Sequence, residues 1–479
     1  MGNLVKQRQM KTSKWTWVVR ILKWTLIAGV SLAILIVVLY KEEDRRGKRD
    51  WENYQHQLQA RGETMDWNDY IPPLVRDEQN FFKAPHMQEW FVKAPGSNAY
   101  EFKAPFNDQK FAAVISSVNH GPNLIDSAAT AKDFLARSDQ FEPQLDLIRE
   151  ALKRPFARMD GDYSDFSEMP TPDIADVRLV SQTLAQRARA YLLLGQLQKA
   201  LDELTLLHNF RRVYEAPPSG KPMYLEAAML DAAVSTVYKN AVAFGIQSRL
   251  WQDPQLATLQ KQLEQINLAL FMVNALRMER AAFLYYALTP NALDKIDPTA
   301  DMAKAREFGW FYQNLVTFST WHQRVIDSID ISNNVVVPKV VIQVDSEENA
   351  VGSSRFPVML SHPYSFVAAL ARPNLSKAIE TFARDQTLVN ETQIACALER
   401  YRLAHGEYPV ALDALVPQFM QTIPHAIIGG QPLHYRRTGD GKFLLYSVGW
   451  NERDDGGQPS PRNEKGIIDY TKSDWVWPN

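Results

Sequence analysis

Ala188-Arg-Ala-Tyr-Leu-Leu-Leu-Gly-Gln-Leu-Gln-Lys-Ala-Leu201 decides the architecture of this chain. Leu184, Ala188, Tyr191 and Leu192 fall on one face at helical spacing, Gly195 interrupts, and Leu197, Ala200, Leu201, Leu204 and Leu207 resume the pattern. Small residues let two antiparallel helices approach, and the glycine makes the turn between them. The same period recurs on both sides of this hairpin, over residues 139–152, 222–247, 253–287, 301–329 and 376–404. The 301–329 stretch carries Phe308, Trp310, Phe311, Leu315, Phe318 and Trp321 at core spacing. An irregular connector over 155–172, a Pro217-Pro-Ser-Gly220 turn and a loop around Pro290 and Pro298 punctuate these runs. The fold class expected is mainly α, with a large helical-hairpin body.

The amino-terminal region is of another kind. Trp24 to Tyr40 is an uncharged run of 17 residues, about 26 Å as a helix and close to the minimum for a bilayer core. Trp15, Trp17, Trp24 and Tyr40 suit the two membrane interfaces, so residues 15–40 are expected to meet a lipid bilayer. The run ends in Lys41-Glu-Glu-Asp44 without a small-residue cleavage site, which favours an uncleaved anchor over a signal peptide. Lys6, Arg8, Lys11, Lys14, Arg20 and Lys23 precede the apolar core with no acid among residues 1–40, whereas the basic residues after it are mixed with acids. That bias places the amino end in the cytoplasm and the body outside.

Residues 41–60 continue as a polar, charge-rich helix that Arg61-Gly62 should stop. From Asp66 to Phe106 prolines and aromatics alternate without either regular period, and this reads as an extended arm held on the body by its aromatic rings. A Lys-Ala-Pro motif recurs there, at Lys83, Lys93 and Lys103. Val335 to Val344 has strand character that Pro338 should confine to an edge or a loop, and 345–354 reads as polar and mobile.

Composition excludes some functions. Lys plus Arg is 53 against 55 Asp plus Glu, a net charge of -2, so no basic excess argues for nucleic acid. The single cysteine, Cys396, lies in an apolar helical run and reads as a core residue. No HExxH, GxSxG, phosphate-loop or dinucleotide motif occurs. His425 and His434 read as surface or turn residues, and the Asp160, Asp162, Asp165, Glu168 cluster as a solvated connector. No catalytic residue is assigned.

The carboxyl-terminal fifth carries a resemblance. Ala397-Leu-Glu-Arg-Tyr-Arg-Leu-Ala-His-Gly-Glu-Tyr-Pro409 is a helix end with a glycine stop and a proline exit. A short second helix at Leu412, Leu415 and Val416 follows, then strands over 433–437 and 442–448. Asn451-Glu-Arg-Asp-Asp-Gly-Gly457 closes as an acidic glycine loop. This order resembles the head of the major pseudopilin of bacterial type II secretion. The resemblance implies a small α+β domain over 375–479 and a calcium loop at Asn451, Asp454 and Asp455, with Asp469 or Asp474 as a further ligand; a solvated, glycine-closed turn is the competing reading. Asn451 stands where that family has Asp, and its Gly-Phe-Thr-Leu-Ile-Glu type of processing site does not occur. The 188–201 stretch is similar to a tetratricopeptide-type hairpin, without further copies at that repeat's spacing. The whole chain resembles membrane-anchored bacterial envelope proteins of uncharacterised activity. Four segments are therefore expected: 1–45, cytoplasmic tail and anchor; 46–120, polar helix and arm; 121–374, helical body; 375–479, pseudopilin-like domain. The implied setting is the bacterial inner membrane, single-pass, with a periplasmic body that contacts other proteins. An envelope hydrolase or ligand-binding protein with a groove in the helical body is the alternative.

Overall fold

The computed structural model describes residues 2–87, 92–93, 100–101, 125–166, 169–170, 174–215, 224–289, 309–351, 361–371, 375–460 and 469–478. The chain is mainly helical with small sheets. It forms two compact units drawn from segments distant in sequence: residues 1–63, 286–320 and 349–372 make the first, and 64–285, 321–348 and 373–479 the second. The 217–220 turn, the Pro290 and Pro298 loop, residues 301–308, Glu168 and the second and third Lys-Ala-Pro prolines lie outside the described residues.

In the first unit, α1 (Gly2–Ala60) is one uninterrupted helix. Its apolar side chains from Trp17 to Leu39 are exposed, and this stretch is long and apolar enough to cross a membrane. Beyond it the helix becomes one-sided, with Trp51 and Leu58 buried. Gly62, at φ +77°, ends it: its amide donates to the Gln59 carbonyl, and the Glu63 amide to that of Leu58. The Tyr40 ring meets Trp310 with centroids 5.4 Å apart. The Gln313 amide donates to the Glu43 carbonyl at 2.8 Å, and the Tyr364 hydroxyl to the Glu43 carboxylate at 3.1 Å.

In the second unit the described part of the arm is a series of 3-10 turns, Trp67–Tyr70, Asp77–Gln79 and Phe81–Lys83, with buried aromatics; Trp90, Phe91, Phe102 and Phe106 lie outside the described residues. Trp67, Tyr70, Phe81 and Phe82 are buried. Trp67 donates its indole N–H to the Tyr163 carbonyl at 3.0 Å. The Phe81 amide donates to Phe156, and the Phe156 amide donates back to Gln79. Asn80 completes this zipper, donating to the Arg158 carbonyl at 2.7 Å and accepting the Arg158 amide at 3.0 Å. The short pair β1 (Val92–Lys93) and β2 (Tyr100–Glu101) is antiparallel.

Helices then build the body. α2 (Ala128–Ser138) starts on a Ser127–Thr130 capping box, and α3 (Glu142–Ala151) follows after a 3-10 turn. The predicted hairpin is α4 (Ile174–Leu193) and α5 (Leu197–Arg211), turning at Gly195 with φ +70°. After α6 (Leu225–Gln247), the helix expected over 253–287 is divided into α7 (Asp253–Glu264) and α8 (Leu268–Leu288). A distant side chain holds the break. Gln386 accepts the Leu268 amide at 2.7 Å and donates to the Ile266 carbonyl at 3.1 Å, satisfying both orphaned groups.

α9 (Phe311–Asp327) buries Phe311, Leu315, Phe318 and Trp321. β3 (Ile329–Asp330) and β4 (Val335–Val336) form a short hairpin. The next segment corrects the expectation of an edge strand or loop: Pro338 opens a helix, α10 (Pro338–Val351). Proline suits a first helical turn, and Val341 and Val344, three apart, share the buried face. The expected mobile residues 345–351 are its last turns, held by Glu347, which accepts from Arg324 at 2.6 Å and from the Trp321 indole at 3.1 Å.

A short helix, α11 (Phe366–Ala371), precedes α12 (Leu375–His405), the centre of the second unit. α12 packs on α6 and α7 and also on the carboxyl-terminal sheet, whose order is β5 (His434–Arg437), β6 (Phe443–Ser447), β7 (Trp475–Trp477), all antiparallel. Trp477 stacks on Phe443 and donates to the Thr392 hydroxyl at 3.2 Å, fastening the sheet to the helix. Gly406, at φ +85°, ends α12 where predicted. The Tyr408 hydroxyl returns to the buried Glu399 carboxylate at 2.7 Å.

Candidate functional site

The acidic loop follows β6. Gly449 passes so close to the Ser473 carbonyl that a Cβ there would collide with it. This crossing brings Asp474, at the start of β7, under the loop. Its Oδ2 accepts the amides of Asp455 at 3.0 Å and Gly457 at 2.7 Å. Burial raises the Asp474 pKa, these amides oppose the rise, and Oδ1 is buried without a hydrogen bond. Asn451 donates its side-chain N–H to Asp455 Oδ2 at 3.2 Å and accepts the Arg453 amide at 3.1 Å.

Asp454 turns to the other side of the loop. It accepts the Gly456 amide at 2.9 Å and the Tyr446 hydroxyl at 3.1 Å, and the first of these holds its carboxyl below the usual range. The His434 ring stacks on Tyr446 and stands 3.7 Å from Asp454.

The structure therefore brings Asn451, Asp455 and Asp474 together and separates Asp454 from them. Asp469 sits with Lys472 and Thr471, which draw its pKa down to about 2. Calcium requires several oxygens converging at about 2.3–2.6 Å. Among the described residues no group of three or more Asp, Glu, His or Cys side chains is placed to hold a metal. Two of the loop's carboxylates already spend oxygens on N–H donors, Asp454 on the Gly456 amide and Asp455 on the Asn451 side chain. As arranged, these groups close the turn through N–H donors.

The other chemistry-bearing residues occupy structural positions. Cys396 is fully buried, which pushes its thiol pKa far up and leaves it no thiolate character. His425 contacts the Ala426 carbonyl at 3.0 Å. Asp160 pairs with Lys83 at 2.5 Å, and Asp162 accepts from Ser164.

Sequence reasoning missed a set of buried charges in the second unit. Arg187 is almost wholly enclosed and donates to Glu203, Asp139 and Glu142 at 2.9, 2.8 and 2.6 Å. Arg211 pairs with the buried Asp231 at 3.0 Å; burial raises the Asp231 pKa to about 6. On α12, Glu391 and Asp385 are buried near Lys239 of α6. Burial raises both carboxyl pKa values and lowers that of Lys239 to about 8, and the opposite charges across the cluster resist both shifts. One sequence signal existed: each charge interrupts an apolar helical face.

Comparison of the chain with protein-family models, with curated proteins and with solved structures returned no match.

Proposed function

We propose that the chain is a membrane-anchored envelope protein of structural or protein-interaction type, accessory to a secretion or pilus-like system. One observation carries the anchor: α1 is a single helix whose exposed, all-round apolar half passes without a break into a polar half with a buried stripe. A water-soluble helix would not leave Trp24, Leu26, Leu32, Ile34 and Leu35 all more than half exposed. The interaction role rests on the carboxyl-terminal arrangement of helix, Tyr-Pro turn, 3-10 turn, antiparallel hairpin and acidic loop, which follows the order of a pseudopilin head. In this reading the amino end is cytoplasmic and the body periplasmic, at the bacterial inner membrane.

Reporter fusions test the topology. An alkaline phosphatase domain joined after residue 60 should be active, and a fluorescent protein at the amino end should mature. A reversed pattern would exclude a periplasmic body. Crosslinking of the full-length protein in native membranes should then capture a discrete protein partner; a ladder of non-specific products alone would remove the interaction role.

A further inference from the structure

A cleft of about 530 Å³ opens beside the α4–α5 hairpin, and Asp139, Glu142, Arg149, Tyr191, Lys199, Asp202 and Glu203 line it. Its volume is within the usual range for small-ligand sites. Beneath it lies the Arg187 network, so the carboxylates at its floor are fixed. Glu203 is buried, one carboxylate oxygen is held by Arg187, and the other, Oε2, has no hydrogen bond.

The charges here do not balance. Arg187 and Arg149 together serve Asp139, Glu142, Asp146 and Glu203. Asp202 accepts only from the neutral Gln198 amide among the described residues. Lys199 makes no ion pair among them: its ammonium lies 5.4 Å from the centre of the Tyr191 ring. Four carboxylates thus line the cleft against Arg149 and Lys199, with the buried Arg187 as the third cation. A buried carboxylate oxygen without a donor is costly, and a cationic donor would relieve that cost. An aromatic face beside carboxylates is the combination that favours alkylammonium and guanidinium groups, and the Tyr191 ring already carries both, Arg187 at 5.6 Å and Lys199 at 5.4 Å from its centre, of which only Lys199 is exposed.

We propose that this cleft binds an aliphatic ammonium or guanidinium group, supplied by a free polyamine or by a basic side chain of a peptide, with Lys199 as the resident cation that the ligand displaces. This goes beyond the anchor-and-contact role and does not depend on it.

The test is calorimetric titration of the detergent-solubilised full-length protein with spermidine and with N-acetyl-lysine amide, using N-acetyl-norleucine amide as the uncharged control. At least one cationic probe should bind saturably and the control should not. Spermidine alone assigns a free polyamine; binding of the lysine amide assigns a peptide side chain. Asp202→Asn removes an exposed carboxylate and should weaken binding about tenfold, the value of one charge-assisted contact. Lys199→Met should tighten it, because no resident cation then competes. Glu203→Gln disturbs the Arg187 network and endangers folding, so the two surface variants carry the test. Asp413→Asn, far along the chain and outside the cleft, should leave affinity unchanged. Absence of saturable binding by both cationic probes overturns the proposal. So does equal affinity in the wild type, Asp202→Asn and Lys199→Met, or a loss in Asp413→Asn as large as that in Asp202→Asn.

Discussion

Replacing Arg187 with Met tests whether the charge cluster under the hairpin is a structural unit. The three carboxylates around Arg187 differ in their access to water: side-chain exposure is 56% for Asp139, 39% for Glu142 and 4% for Glu203. Asp139 and Glu142 can rehydrate when the guanidinium is lost, and such half-exposed pairs contribute about 0–1 kcal/mol each. Glu203 cannot. A buried charge left without its partner costs about 3–5 kcal/mol, so this one contact should dominate the loss. Burial already raises the Glu203 pKa, and Arg187 is the main group opposing that rise. Without Arg187 the folded-state pKa climbs further. A carboxyl raised above its unfolded value has its full stability below the ordinary value near 4.5 and loses it as pH rises through the folded pKa. The variant should therefore be nearest to wild type at pH 5 and furthest from it at pH 8. Adding Glu203→Leu removes the stranded charge and should restore most of the loss, with a coupling energy of about 2 kcal/mol or more. Urea unfolding of the detergent-solubilised protein, followed by near-ultraviolet circular dichroism, measures Arg187→Met, Glu203→Leu and the double variant. A loss below about 1 kcal/mol for Arg187→Met, or one equal at pH 5 and pH 8, would refute the argument.

Three further outcomes follow from the same structure. His208 is buried, and burial together with the Arg211 charge lowers its pKa to about 4. Its contribution is intact above about pH 6.5 and is lost as pH falls towards 4, so His208→Gln should flatten that part of the stability profile by about 2–3 kcal/mol; an unchanged profile would show that another group titrates there. Because the loop carboxylates already hold N–H donors, a chelator should leave the unfolding midpoint of the full-length protein in place, whereas Asp474→Ala should lower it by freeing the Asp455 and Gly457 amides. A calcium-dependent rise in midpoint that Asp474→Ala abolishes would reinstate the cation. The fragment 375–479 should not fold alone, because α12 is buried against α6 and α7 as well as against its own sheet; sharp near-ultraviolet signals from the isolated fragment would contradict this.

The helical period was legible because burial imposes it. The α4–α5 turn at Gly195, the α12 stop at Gly406 and the core aromatics of α9 all lie where spacing and glycine chemistry put them. Errors arose where a distant residue decides a local conformation. Nothing near 265–267 announces that Gln386 will hold a helix break, and the valines of α10 favour a strand until Glu347 meets Arg324. The third strand, Trp475–Trp477, was missed because three residues give no alternation to detect. Of the candidate site, the sequence showed the acids but not their directions. Asp454 and Asp455 are neighbours, yet one serves Tyr446 and Gly456 while the other closes on Asn451.

The burial of α12 bears on how a pilin-like head could act here. From Thr387 to Glu399 every residue of α12 is buried, including Asn390, Glu391, Thr392, Gln393 and Glu399. A head helix free to pack against copies of itself would keep one polar face in water. This one instead places polar side chains against both the body and the sheet: Gln386 holds the α7–α8 break, Thr392 takes the Trp477 indole, and Glu399 holds Arg402 and Tyr408. Removing the body would expose a helix whose polar groups are already committed in several directions. The Thr387–Glu399 stretch is therefore closed to other proteins, and contacts made by this part of the molecule fall on surfaces such as the edge strand β5 with the exposed Arg436 and Arg437, or the turn bearing Val410 at 79% exposure. Substitutions on those surfaces should alter crosslinking while leaving the unfolding midpoint unchanged, whereas substitutions between Thr387 and Glu399 should do the reverse.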